Sequence, residues 1–277
     1  MKALIVEGGA MRGIFPAGVL KAFSDHNFDD FDLFIGVSAG ACNLASFLTG
    51  NYDRNYNGYT KLMSQKKFIS WKRFLIGGHL MDLDWLWENL NNNYPIDELR
   101  INEYSNKFYI VVTNIKTGKP EYFSPNSQNI HEVLLASSAM PIVYRGFIEL
   151  DNKKYTDGGV SDPLPIDYAI QKGAKEILIL RTRPKCYTSS PKIIDKLWNW
   201  LLRNYPNLKK VNSEHSDIYN ESLSLIDRIP NDLTIEQICP NVDMVTERTS
   251  RDIQGLKDDY RKGYDKGLEY LKNNSLT

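Results

Sequence analysis

Apolar residues come first in short unbroken runs. Ala3-Leu4-Ile5-Val6 stops at Glu7-Gly8-Gly9, the pattern of a strand covered on both faces of a parallel sheet. A helix is predicted over 15–24, with Pro16 near its start, where a missing N–H costs little. The strand pattern returns over 31–35 and runs into Gly36-Val37-Ser38-Ala39-Gly40, after which an Ala/Leu-rich helix reaches about Gly50. Two strand–turn–helix units within fifty residues predict an α/β fold with a parallel sheet.

The pattern then loosens. Residues 52–99 are irregular and aromatic, with Trp71, Phe74, Trp85 and Trp87 around Gly77-Gly78. Strands are predicted over 107–114 and 120–123, joined through Thr117-Gly118 as a hairpin. A helix over 129–138 ends before Pro141, and a strand pair around Asp151-Asn152 delivers the chain to Asp157-Gly158-Gly159. A helix over 165–172 and a buried strand over 176–180 follow. The remainder, 184–277, reads as mostly helical and ends in an amphipathic segment over 250–272. With no internal repeat, low-complexity tract or linker, a single domain over 1–277 is expected.

Composition narrows the function classes. Hydrophobic residues make up 42%, enough to build a core without disulfides or metals. Lys+Arg and Asp+Glu balance at 34 each, so no global basic field recruits nucleic acid. Cys42, Cys186 and Cys239 are widely spaced and form no CxxC pair, so a cytoplasmic setting is expected, with neither a zinc site nor a disulfide framework. No window approaches the roughly 20 apolar residues of a membrane span, which makes membrane contact, at the inner face, a peripheral matter. No His, Asp and Glu cluster has ligand-like spacing, and no metal or cofactor is expected.

Three motifs carry chemistry. Gly36-Val37-Ser38-Ala39-Gly40 is a G-x-S-x-G elbow between a predicted strand and a predicted helix. Its glycines leave room for a sharp turn that exposes the serine, and the helix N-terminus offers free N–H groups to an oxyanion. Gly8-Gly9-Ala10-Met11-Arg12-Gly13 is open to more than one reading. A dinucleotide fingerprint needs glycine at the third position, where Ala10 stands; an oxyanion loop and a plain strand-to-helix turn also fit. Arg12 either binds a phosphate or braces that loop. Asp157, followed by Gly158 and Gly159, is the candidate base if burial tunes it; by itself the tripeptide is more often a turn. A triad would need a histidine after Asp157, and only His215 follows, in the polar stretch 212–217. A Ser–Asp dyad is the better account.

With these motifs in order, the chain resembles the patatin-like phospholipase family, in particular its bacterial members. Ala136-Ser137-Ser138-Ala139-Met140-Pro141 is similar to the family segment that precedes its aspartate. The resemblance covers residues 3–183. It implies a three-layer α/β/α fold with a mostly parallel sheet, and a carboxylic ester hydrolase of the phospholipase A, lysophospholipase or esterase type. Ser38 and Asp157 would form the dyad, and Gly8, Gly9, Ala10 and Ala39 would supply backbone N–H groups to the oxyanion. Arg12, Gly13, Gly36, Gly40, Gly158 and Gly159 would support the motifs. Ala10 departs from the family glycine, and Asp162 stands where the family carries an asparagine-like position. A catalytically silent lipid-binding or regulatory protein on the same fold is the alternative, and a nucleotide-binding protein the third.

The expected partner is a lipid or acyl ester. Trp71, Phe74, Leu75, Leu80, Met81, Trp85 and Trp87 either line an acyl groove or form a second hydrophobic cluster. Residues 193–203 have the apolar spacing and basic edges of an interfacial helix, though most helices of that pattern simply cover a sheet.

Overall fold

The computed structural model describes residues 1–141, 143–191, 201–228 and 232–274. Among them, β1 (Lys2–Val6), β2 (Leu33–Val37), β3 (Phe108–Asn114), β4 (Pro120–Phe123), β5 (Ile148–Leu150), β6 (Lys153–Asp157), β7 (Glu176–Leu180) and β8 (Thr234–Ile238) form one sheet. The order is β5-β6-β3-β2-β1-β7-β8, with β4 also paired to β3. The β1, β2, β3, β7 and β8 pairings are parallel, and those made by β4, β5 and β6 antiparallel. This is the mostly parallel α/β sheet that the two strand–turn–helix units predict.

Side chains alternate between the faces of a strand, and here both faces are covered. Leu4, Val6, Phe34, Ile110, Val112 and Leu178 join one hydrophobic cluster; Ala3, Ile5, Ile35, Val111 and Ile177 join another. Helices α1 (Ile14–Asp25) and α2 (Ala39–Leu48) supply Phe15, Val19, Phe23 and Leu44 to the first. Helices Ile166–Gln171 and His215–Asp227 supply Ile166, Ala169 and Tyr219 to the second. The result is three layers, α/β/α.

The C-terminal helix Ile253–Asn274 lies directly on α1. A Cβ on Gly263 would sit 2.1 Å from the Phe15 carbonyl oxygen, and one on Gly18 2.1 Å from that of Tyr260. Only hydrogen side chains permit the two backbones to touch.

Strand β8 stands among the C-terminal helices Pro206–Ser213, His215–Asp227 and Ile253–Asn274 and is not expected from the sequence. It extends the sheet beside β7 with Glu176 opposite Thr234 and Leu180 opposite Ile238. Its sequence, Thr-Ile-Glu-Gln-Ile, is too polar to read as a buried strand, because an outer strand of the sheet leaves Thr234 and Glu236 in solvent.

The pairing of β3 positions the site. Along one edge, β4 covers Ile110 to Thr113, so β2 and β6 must share the other. The last residue of β2, Val37, lies opposite Val111, and the last of β6, Asp157, lies opposite Val112. The two strands run toward each other and stop nose to nose. Ser38 and Asp157 are brought together by that collision.

Candidate active site

Ser38 occupies the turn between β2 and α2 with φ 53° and ψ −123°, a conformation that a residue with a Cβ adopts at a cost of about 1–3 kcal/mol. The surroundings hold it there. Its N–H donates to Ser137 Oγ at 2.8 Å, and Ser137 Oγ in turn donates to the Val111 carbonyl at 2.7 Å. A Cβ on Gly40 would lie 2.1 Å from the Val6 carbonyl oxygen, and one on Gly36 2.4 Å from Ala41 Cα. Both glycines of the elbow are therefore required by close backbone approach, not by mobility.

Ser38 Oγ donates to Asp157 Oδ2 at 2.7 Å, and Gly159 N–H donates to Asp157 Oδ1 at 2.8 Å. Asp157 is 2% exposed. Burial pushes its carboxyl up to about 6, against the lowering effects of the Ser38 hydroxyl, the Gly159 N–H and the Arg248 charge. A carboxylate with that affinity can hold a proton transiently near neutral pH. Gly158 is needed where β6 abuts β3: a Cβ there would fall 2.1 Å from the Val111 carbonyl oxygen.

The glycine loop lies against the serine, since a Cβ on Gly8 would be 3.0 Å from Ser38 Cβ. Gly8, Gly9, Ala10, Arg12, Ala39 and Gly159 line the same cavity as Ser38 and Asp157. Gly13 lies behind the loop, beneath the Tyr59 hydroxyl. Ala10, the departure from the family glycine, has φ 50° and so takes the left-handed conformation despite its methyl. Thr182, just past β7, clamps the loop. Its hydroxyl donates to the Gly8 carbonyl at 2.8 Å, and its carbonyl accepts from Arg12 Nε at 3.2 Å. Beneath it, Glu7 Oε2 accepts from the Thr182 N–H and, at 3.3 Å, from Arg181 Nε, while Tyr219 OH donates to Glu7 Oε1 at 2.8 Å. Arg12 thus braces the loop through one N–H.

The cavity has a volume of about 670 Å³ and continues from Ser38 among Phe68, Trp71, Phe74, Leu80, Met81 and Trp87. Five of the seven predicted groove residues line it. Leu75 instead points to solvent, 81% exposed, and Trp85 lies under Lys67, whose Nζ is 4.0 Å from its ring centroid. Asp162 is raised to about 6 by burial and accepts from Tyr122 OH at 2.6 Å. His215 is part of the cavity wall, whereas the hydroxyl of Ser38 is directed to Asp157. Among the described residues, no group of three or more His, Cys, Asp or Glu is arranged to hold a metal, and no helix is long and apolar enough to cross a membrane. Residues 192–200, most of the interfacial helix expected over 193–203, lie outside the described residues.

Sequence reasoning missed Thr182, Arg183 and Arg248. The first two had a signal: they follow the carboxyl end of a parallel strand, where open α/β sheets gather their ligand contacts.

A sequence profile described as patatin-like phospholipase matches residues 4–170. The chain belongs to that family. A second profile, a domain of unknown function (DUF6363), matches residues 205–275. The patatin-like chain is 34% identical over 273 residues to uncharacterized protein YjjU of Escherichia coli (strain K12), spanning 94% of this chain and 74% of the relative. It is 28% identical over 200 residues to probable lipid hydrolase 463L of Invertebrate iridescent virus 6, spanning 61% of this chain and 63% of that protein. The crystal structure of VipD from Legionella pneumophila aligns over 98% of this chain and 67% of its own, with 13% identity and a TM-score of 0.49.

Proposed function

We propose that the protein is a serine acyl hydrolase that cleaves fatty-acyl esters through a Ser38–Asp157 dyad. One observation carries this reading: the strained serine donates to a buried carboxylate at 2.7 Å at the head of a largely apolar cavity. Family membership and the lipid-hydrolase name of a relative support the substrate class. Ser38 Oγ attacks the acyl carbonyl while Asp157 takes its proton. Backbone N–H groups of Gly8, Gly9, Ala10 and Ala39 receive the oxyanion, each donor contributing about 3 kcal/mol at the transition state. Asp157 returns the proton to the leaving alcohol. Water, deprotonated by Asp157, then attacks the acyl-enzyme; the bond from Ser38 Oγ to the acyl carbon breaks, Asp157 returns the proton to Ser38 Oγ, and the fatty acid leaves.

Three further parts belong to the same reading. Residues 205–275 act within one domain with the rest, a view supported by β8 in the sheet and by the C-terminal helix on α1. Lipid is met at a membrane surface through the exposed Trp71, which lines the cavity, and the exposed Leu75 and Ile76 that follow it in the chain, in a segment that also exposes Lys66, Lys67 and Lys72. The setting is cytoplasmic, where the unpaired Cys42, Cys186 and Cys239 would remain reduced.

Hydrolysis of p-nitrophenyl esters of increasing chain length tests the dyad. Ser38→Ala and Asp157→Asn should each lose turnover by about a thousandfold or more, and His215→Ala should retain it. Turnover retained in Ser38→Ala refutes the proposal. Tight fatty-acid binding without turnover in wild type would favour the silent lipid-binding protein.

A further inference from the structure

The cavity is electrically lopsided. Arg12, Arg183 and Arg248 line it together with the dyad, and among the described residues the only carboxylates in its wall are Glu7 and Asp157. Glu7 is already committed to Arg181, Tyr219 and Thr182, and Asp157 to Ser38. None of the three arginines forms an ion pair among the described residues. Two other arginines in the wall serve structure: Arg54 NH1 donates to the Tyr94 carbonyl, and Arg145 NH2 to the Phe74 carbonyl at 2.7 Å.

The three arginines come from separate parts of the chain, and the segments that carry them are fixed. Arg12 is 5% exposed and tied to Thr182. Arg183 follows Thr182 and lies over the Tyr187 ring, its Cζ 4.3 Å from the centroid. Arg248 is exposed on a loop whose Val245 and Thr246 N–H groups donate to Asp259 Oδ2 at 3.1 and 2.8 Å, and Asp259 is fully buried in the C-terminal helix. Their charges reach one another: burial first, then Arg248 and Arg183, push Arg12 down to about 9, against the pull of Glu7 and Tyr219. Like charges gathered with no committed anion are a cost that a bound anion would remove.

We propose that Arg12, Arg183 and Arg248 form a phosphate-binding pole of the cavity and select phospholipids whose headgroup carries net negative charge. The assignment rests on the acyl-hydrolase reading, with the ester over Ser38 and the chain among the aromatic residues beyond it. A zwitterionic headgroup fits less well. Its ammonium would need a carboxylate or a bare aromatic face at this end of the cavity; here both carboxylates are engaged, Tyr187 is covered by Arg183 and Tyr219 by Arg181, and the other aromatic side chains are assigned to the acyl chain.

Calorimetric titration of Ser38→Ala protein tests this without turnover, so a wild type inactive on every ester would sink the dyad while leaving this result readable. The probes are a short-chain phosphatidate, the phosphatidylcholine of the same chains, glycerol 3-phosphate and inorganic phosphate. The phosphatidate should bind at least about tenfold more tightly than the phosphatidylcholine. Arg248→Gln, and separately Arg183→Gln, each added to Ser38→Ala, should reduce or abolish that preference. Equal affinity for the two lipids, or a preference that survives both substitutions, overturns the proposal. If inorganic phosphate or glycerol 3-phosphate binds as tightly as the phosphatidate, the pole is a free-phosphate site and the headgroup assignment fails.

Discussion

Replacing Asp157 by Asn should stabilise the protein at neutral pH relative to acid, even as it removes the proposed base. The side chain keeps its shape, so Gly159 N–H can still donate to Oδ1. What disappears is a buried ionisation. Burial raises the Asp157 carboxyl from 3.8 to about 6, so between those values the native protein keeps a proton that the unfolded chain has released. The group therefore favours folding most below about pH 4, and that contribution is lost as pH rises through about 6. A shift of about two units at 1.36 kcal/mol each makes the loss about 3 kcal/mol. Asn does not titrate, so the stability of Asp157→Asn relative to wild type should climb by about 3 kcal/mol from pH 4 to pH 8. For a chain of this size that corresponds to roughly 5–10 °C in Tm. Asp162, also raised to about 6, titrates in both proteins and cancels from the difference. Urea titrations at half-unit pH intervals measure it. Parallel pH–stability curves for the two proteins would show that Asp157 is not destabilised as an anion, and the basis for its strength as a base would go with it.

The same carboxyl should set the acid limb of wild-type kcat/KM near pH 6, and Arg248→Gln should move that limb upward at low salt, because the Arg248 charge lowers Asp157. A limb that stays in place in that variant would deny the coupling. Ala10→Gly should raise stability by up to about 1 kcal/mol by relieving the left-handed alanine; a lower Tm would count against strain at that position. Thr182→Val loses the hydroxyl bond to the Gly8 carbonyl, and kcat should fall about tenfold with KM little changed; a change confined to KM would mean the clamp does not hold the oxyanion loop. Gly263→Ala should cost about 1–3 kcal/mol in urea denaturation, since its methyl meets the Phe15 backbone. An unchanged midpoint would mean that α1 and the C-terminal helix separate freely.

The residues legible in the sequence were those whose positions impose a steric demand on neighbouring glycines. Ser38 needs a turn so close to Val6 and Ala41 that Gly40 and Gly36 must stand beside it. Asp157 ends a strand that meets β3 so tightly that Gly158 must follow. Strands covered on both faces, such as β1 and β7, were equally plain, because double burial writes an unbroken apolar run. Strand β8 exposes part of its surface and left no such mark. Thr182 and Arg183 were marked only by their place just past the carboxyl end of β7, and Arg248 by nothing. Hydrogen bonds to carbonyls and charges around a cavity impose no spacing on the chain, and Arg12 and Arg248 are brought together only once the C-terminal helix has docked on α1.

That docking brings the two matched segments into direct contact. Residues 4–170 carry the serine, the aspartate and the glycine loop, which is all that the proposed dyad needs. The loop that presents Arg248 hangs from Asp259 of a helix whose glycines interlock with α1, and α1 itself begins where the glycine loop ends. Movement of the C-terminal helix would thus shift a charge felt by both Arg12 and Asp157 and, through α1, strain the loop proposed to receive the oxyanion. A C-terminal segment that only shielded the sheet would need neither a buried carboxylate to fix the Arg248 loop nor backbone contact at Gly18 and Gly263. Arg248 and Thr249 do line the cavity, and on the proposed reading headgroup preference is the property that such a wall would govern.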